Sequence, residues 1–139
     1  MSEITKQEFE QYDRQIRLWG IDAQKRLRKS KVLLIGMGGL GAEIAKNLVL
    51  SGIDSITLMD DRNVEEVNFT SQFFLKQEDI GRNIAEASVE KAQNLNPNVK
   101  VKSVNYSLTS YKETDNFDVI SEFDVVCLTG STCKVRNIL

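Results

Sequence analysis

The run Lys31-Val-Leu-Leu-Ile-Gly36-Met-Gly38-Gly39-Leu-Gly41, continuing through Ala42 to Leu50, constrains the fold most, because it reads as strand, glycine turn and helix. Gly36, Gly38 and Gly41 stand at G-x-G-x-x-G spacing, where a missing Cβ permits a tight turn, close backbone approach to phosphate and close helix–strand packing. The start of the following helix offers free N–H donors and a partial positive charge to an anion. Such a turn announces a nucleotide-binding crossover without saying which nucleotide, if any, it serves.

The rest of the chain alternates helical and strand periodicities around that unit. Thr5 and Glu8 form a T-x-x-E capping box, predicting a helix to about Gly20 with Phe9, Tyr12, Ile16 and Trp19 along one stripe. A short helix over about Asp22 to Arg28 precedes a first strand at Lys31 to Ile35, the Leu40–Leu50 helix and a second strand at Ser55 to Met59. A helix from about Ile84 to Asn94, a third strand from Val99 to Tyr106 and a buried fourth strand from Phe123 to Thr129 follow, with a loop-like segment from Thr109 to Ser121 between the last two. This order predicts an α/β fold, a Rossmann-like doubly wound parallel sheet of about four strands preceded by helices. With a single proline at Pro97 and no low-complexity stretch, residues 1–139 read as one unit without an internal boundary.

Composition removes several classes of chemistry. The chain has no histidine, which excludes Ser–His and Cys–His catalysis and histidine-ligated metals. Cys127 lies in an apolar run and reads as a buried thiol; Cys133, six residues on, has no neighbouring base to make it a nucleophile. A net charge of −2 gives no field for nucleic acid, and the basic run Lys25 to Lys31 reads as a solvated helix end. No stretch reaches the roughly 18 apolar residues of a membrane span, and the N-terminus has no signal-peptide pattern, so an intracellular soluble protein is expected.

Asp60, nineteen residues after Gly41 at the end of the second strand, fits the ribose-binding acid of an NAD-dependent dehydrogenase. Thirty residues of helical prelude before the first strand, including Tyr12-Asp-Arg14-Gln-Ile-Arg17-Leu-Trp-Gly20, call for another explanation. Together with Ala23-Gln-Lys-Arg-Leu27, Asn68-Phe-Thr-Ser-Gln-Phe-Phe74 and Asp79-Ile-Gly-Arg-Asn-Ile-Ala-Glu-Ala87, that prelude resembles the activating enzymes for ubiquitin-like proteins, a branch of the ThiF-type adenylation superfamily. Within the family, Ala42 to Leu48 and Gln93 to Pro97 are especially similar to the small regulatory subunits of the SUMO-activating enzymes; the first half of single-chain ubiquitin-activating enzymes also looks alike.

The resemblance implies ATP-dependent adenylation of a modifier's C-terminus and transfer to a cysteine, in a heterodimer whose larger subunit holds ATP, Mg²⁺ and the catalytic cysteine. It also implies a nuclear and cytoplasmic location. Competent adenylation halves carry N-x-x-R-Q, a lysine after D-[IV]-G, and T-D-N with a metal-binding aspartate. Here Asn68 and Gln72 match, but Ser71, Ile84 and Gly130 stand at the three charged positions. A missing cationic finger alone costs on the order of 10³–10⁵ in phosphoryl transfer, so a pseudo-adenylation fold with no metal site is expected.

For Gly36, Gly38, Gly39, Gly41, Asp60, Asn68 and Gln72 two roles stay open, weak nucleotide binding and a purely structural one. Arg14 is the exception. The resemblance assigns it to the partner's ATP site in trans, and at about 100° per residue it lies opposite the apolar stripe. The alternative is a solvated arginine paired with Asp13 or Glu10; Arg17 reads as an interface or structural residue. Val135, Ile138 and Leu139 resemble one face of an unfinished helix, the expectation for a truncated isoform or fragment, whose activity would be nil.

Overall fold

In the computed structural model, which describes residues 4–106 and 118–129, the chain forms α1 (Lys6–Gln11), α2 (Asp13–Trp19), α3 (Ile21–Leu27), β1 (Lys31–Ile35), α4 (Gly39–Ser51), β2 (Ser55–Met59), α5 (Ile84–Leu95), β3 (Lys100–Val104), α6 (Asp118–Ser121) and β4 (Val125–Leu128). The four strands pair in parallel in the order β3-β2-β1-β4, the doubly wound arrangement expected. β1 and β2 have the bounds read from sequence, because apolar and β-branched runs buried on both faces leave little choice. Side chains alternate between two cores. Val32, Leu34, Ile56, Leu58 and Val101 join residues of α4 and α5 on one face, while Leu33, Ile35 and Met59 meet Phe123, Val126 and Leu128 on the other.

Two glycines let the crossover close. Gly36 has φ +96° and lies where a Cβ would stand 2.1 Å from the Thr129 carbonyl oxygen at the end of β4. A Cβ on Gly41 would stand 2.0 Å from the Gly36 carbonyl, so α4 rests directly on the turn. Thr129 Oγ1 donates to the Gly36 carbonyl at 2.7 Å, tying β4 to the same point. Gly38, by contrast, would meet nothing within 4 Å.

The N-terminal helices depart from expectation. The capping box is present, with Glu8 accepting from the Thr5 N–H at 2.9 Å, but the helix breaks at Tyr12 (φ −102°, ψ 13°). Only Tyr12 of the expected stripe is buried; Phe9 and Trp19 are 42% and 45% exposed. The cause is a tertiary contact that helical period does not encode. The Tyr12 ring packs where Gly52 ends α4 in the left-handed region, and its hydroxyl accepts from Asn96 Nδ2 at 2.7 Å at the end of α5. Asn96 Nδ2 also donates to the Val49 carbonyl, so one buried amide joins α2, α4 and α5.

β4 is also corrected. Among the described residues it stands at the sheet edge rather than as a buried strand: Val125 is 49% exposed, and Cys127 is half-buried against the larger core rather than sealed within it. The third strand is shorter than its apolar pattern, and Asp118–Ser121 supplies one helical turn within the expected loop. Gly130, Cys133, Val135, Ile138 and Leu139 lie outside the described residues.

Glu8 is nearly buried, and burial pushes its pKa up. Hydrogen bonds from the Thr5 N–H and Oγ1, with the Arg28 guanidinium at 3.1 Å, outweigh that and hold it below the ordinary carboxylate value. Because the folded pKa is the lower one, the stabilisation is present above the unfolded value and is lost as pH falls through the folded one. Urea unfolding is therefore expected to show an acid-side stability decline that Glu8→Gln makes shallower; an unchanged slope contradicts it. In the same assay Gly41→Ala, which drives a methyl into backbone, is expected to cost about 3 kcal/mol or more, and Gly38→Ala less than about 1.

Candidate functional site

The glycine turn, the end of β2 and the segment from Glu65 to Asn83 meet at the C-terminal edge of the sheet, where doubly wound folds bind ligands. Met37 is fully buried at their junction. Its N–H donates to Asp60 Oδ2 at 2.7 Å, and its carbonyl accepts from Gln72 Nε2 at 3.3 Å.

Asp60 stands where the spacing expects it, but it is fully engaged. Arg62 supplies its backbone N–H (3.0 Å) and Nε (2.9 Å) to Oδ1, and Nη2 (2.7 Å) to Oδ2. With the Met37 N–H that makes four donors, the number a carboxylate has lone-pair positions to receive. The Asp60 side chain is 3% exposed. Burial pushes its pKa up, yet the Arg62 side chain and the Met37 and Arg62 N–H groups together hold it below the usual range.

The surviving motif residues have local structural partners. Gln72 is buried, donates to Ser88 Oγ (2.9 Å) as well as Met37, and accepts from the Phe74 N–H (2.8 Å), pinning its segment between the turn and α5. Asn68 caps a 3₁₀ turn, Glu65's N–H donating to its Oδ1 at 2.7 Å. Ser71 packs on the bare backbone of Gly39, where a Cβ would lie 2.8 Å from its own. Ile84 is wholly buried at the first turn of α5. Asn83 caps that helix through the Ala85 and Glu86 N–H groups and donates to the Asp60 carbonyl at 2.8 Å.

These residues do not fit ATP. Positions 71 and 84 carry no charge to offset phosphate repulsion, and the ribose acid has no vacant acceptor. Among the described residues no three acidic or cysteine side chains gather as a metal site. A cavity of about 660 Å³ lies at the other end of the sheet, lined by residues including Glu8, Tyr12, Arg28, Gly52 and Lys100, away from the turn.

Arg14 is exposed, and Asp13 is paired instead with Arg17 at 3.0 Å. Its neighbour Tyr12 is fastened to Gly52, at the opposite end of α4 from the glycine turn. A helix of 13 residues separates those ends, about 20 Å at 1.5 Å per residue. Arg14, two residues from Tyr12, is thus anchored from the end of α4 away from the glycine turn.

Arg62 and Asn96 are what sequence reasoning missed. Arg62 lies two residues past Asp60, a spacing that no motif marks, and Asn96 stands out in the sequence only as part of the Gln93 to Pro97 segment.

No helix among the described residues is long and apolar enough to cross a membrane. The chain is 50% identical over 136 residues to SUMO-activating enzyme subunit 1 of Bos taurus, covering 98% of this chain and 37% of that protein. It thus spans little over a third of that relative's length. Among solved structures, PaaA superposes with a TM-score of 0.76 at 29% identity over 92% of this chain and 42% of its own. The E. coli tRNA N6-threonylcarbamoyladenosine dehydratase TcdA, in complex with ATP, superposes at 0.78 with 23% identity over 94% and 53%, a likeness of fold alone. A model of the ThiF family matches residues 12–139, and the chain belongs to that family.

Proposed function

We propose that this chain is a non-catalytic subunit of a SUMO-activating enzyme. In this reading it pairs with a larger subunit that binds ATP and Mg²⁺ and carries the catalytic cysteine, and it works in the nucleus and cytoplasm. The observation that carries the reading is the 50% identity, across 98% of the chain, to a protein named as subunit 1 of that enzyme. The site agrees with a non-catalytic role, since the turn lacks the charges adenylation needs and the ribose acid is occupied from within. ATP and Mg²⁺ therefore belong to the partner, and no step of the chemistry runs through this chain's glycines.

Arg14 is the residue this chain lends to the reaction. It is exposed, on a short helix fixed by the Tyr12–Asn96 contact and anchored from the end of α4 away from its own turn, which suits a donor to a nucleotide on another chain. Adenylation brings a carboxylate onto a phosphorus already surrounded by negative oxygens, and a guanidinium aimed at those oxygens stabilises the charge of the leaving pyrophosphate.

The test reconstitutes this chain with the large subunit and follows modifier-dependent ATP–pyrophosphate exchange. Arg14→Ala is expected to leave co-purification intact and to slow exchange on the order of 10²–10³-fold. Unchanged exchange overturns the role of Arg14, and absence of co-purification overturns the subunit assignment. Thioester formation offered SUMO, ubiquitin and their relatives in turn is expected to be supported for SUMO.

A further inference from the structure

We propose that Arg62 is a built-in occupant of the ribose position: its guanidinium takes the lone pairs of Asp60 that the vicinal hydroxyls of an adenine nucleotide would use, and so bars nucleotides from this chain's own turn. Asp60 stands at the end of β2 in contact with the glycine turn through the Met37 N–H, where a ribose-binding acid belongs. Three of its four donors come from Arg62 alone, at 2.7–3.0 Å.

This is not an ordinary surface ion pair. The Arg62 side chain is 58% exposed but the Asp60 side chain only 3%, so the carboxylate sits in a poorly solvated place where its partner matters. Both a ribose hydroxyl and the guanidinium would donate to the charged carboxylate, but only the guanidinium adds a full opposite charge and two parallel donors held in a fixed fork. Ribose therefore loses the competition for these lone pairs while the guanidinium is in place. The backbone approach is not what blocks the site, because a Cβ added at Gly38 would meet nothing within 4 Å. At the ribose position the block resides in the Arg62 guanidinium.

The inference extends the reading that the working nucleotide lies in the partner, and it is tested on the full chain without that partner, so its failure is separable from a failure of assembly or exchange. AMP and 2′,3′-dideoxy-AMP are titrated calorimetrically into the unsubstituted chain, Arg62→Ala and Arg62→Met, with near-UV circular dichroism checking the fold. Both variants are expected to bind AMP at least about tenfold more tightly than the unsubstituted chain, the worth of a hydrogen bond to a charged group. That gain is expected to vanish with 2′,3′-dideoxy-AMP and in the double variant with Asp60→Asn. No gain in a folded variant, or an equal gain with the dideoxy nucleotide, overturns the proposal. The unsubstituted chain gives an independent reading: it is expected not to distinguish AMP from its dideoxy form, and a preference for AMP overturns the proposal even if both variants fail to fold.

Discussion

The bond from the Met37 N–H to the Asp60 carboxylate joins the glycine turn to the end of the second strand, and the surrounding structure closes on that junction. The Met37 carbonyl receives Gln72, which fixes the segment before α5, and the Asp60 carbonyl receives Asn83, which caps α5 itself. Arg62 completes the carboxylate. A buried anion is tolerated only when its lone pairs are met, and here every donor comes from the chain. These hydrogen bonds lie at the edge where a doubly wound fold ordinarily receives a ligand.

That completeness separates two properties often read together from a glycine motif. Gly36 and Gly41 are needed for packing whether or not a nucleotide binds, since a Cβ at either would enter backbone. Adenylation asks in addition for cations and a free ribose acceptor, which Ser71, Ile84 and the engaged Asp60 do not provide. On the function proposed here, the chain retains the crossover for packing while Arg14, on α2 beside the far end of α4, is the residue a second protein meets.

Much of this was legible in the residues. The strands flanking the crossover and the capped start of α1 follow from local patterns that tertiary structure reinforces. The break at Tyr12 was not legible, because an unbroken helical stripe gives no sign that Asn96 and Gly52 capture one of its members. The exposure of β4 was hidden for a similar reason: an apolar run looks the same at an edge as in the centre of a sheet. At the site, Asn68 and Gln72 matched a motif, yet their hydrogen bonds serve a 3₁₀ turn and the packing of α5. Arg62 has no periodic or motif signature, and its meaning came from geometry around one carboxylate.

On the proposed function, this chain contributes to a nucleotide reaction without holding a nucleotide itself. The stoichiometry of ATP bound at equilibrium to the purified complex of this chain with the large adenylating subunit decides the matter. One ATP per complex, held by the larger subunit, is expected. A second ATP, protected by this chain's glycine turn, would contradict it.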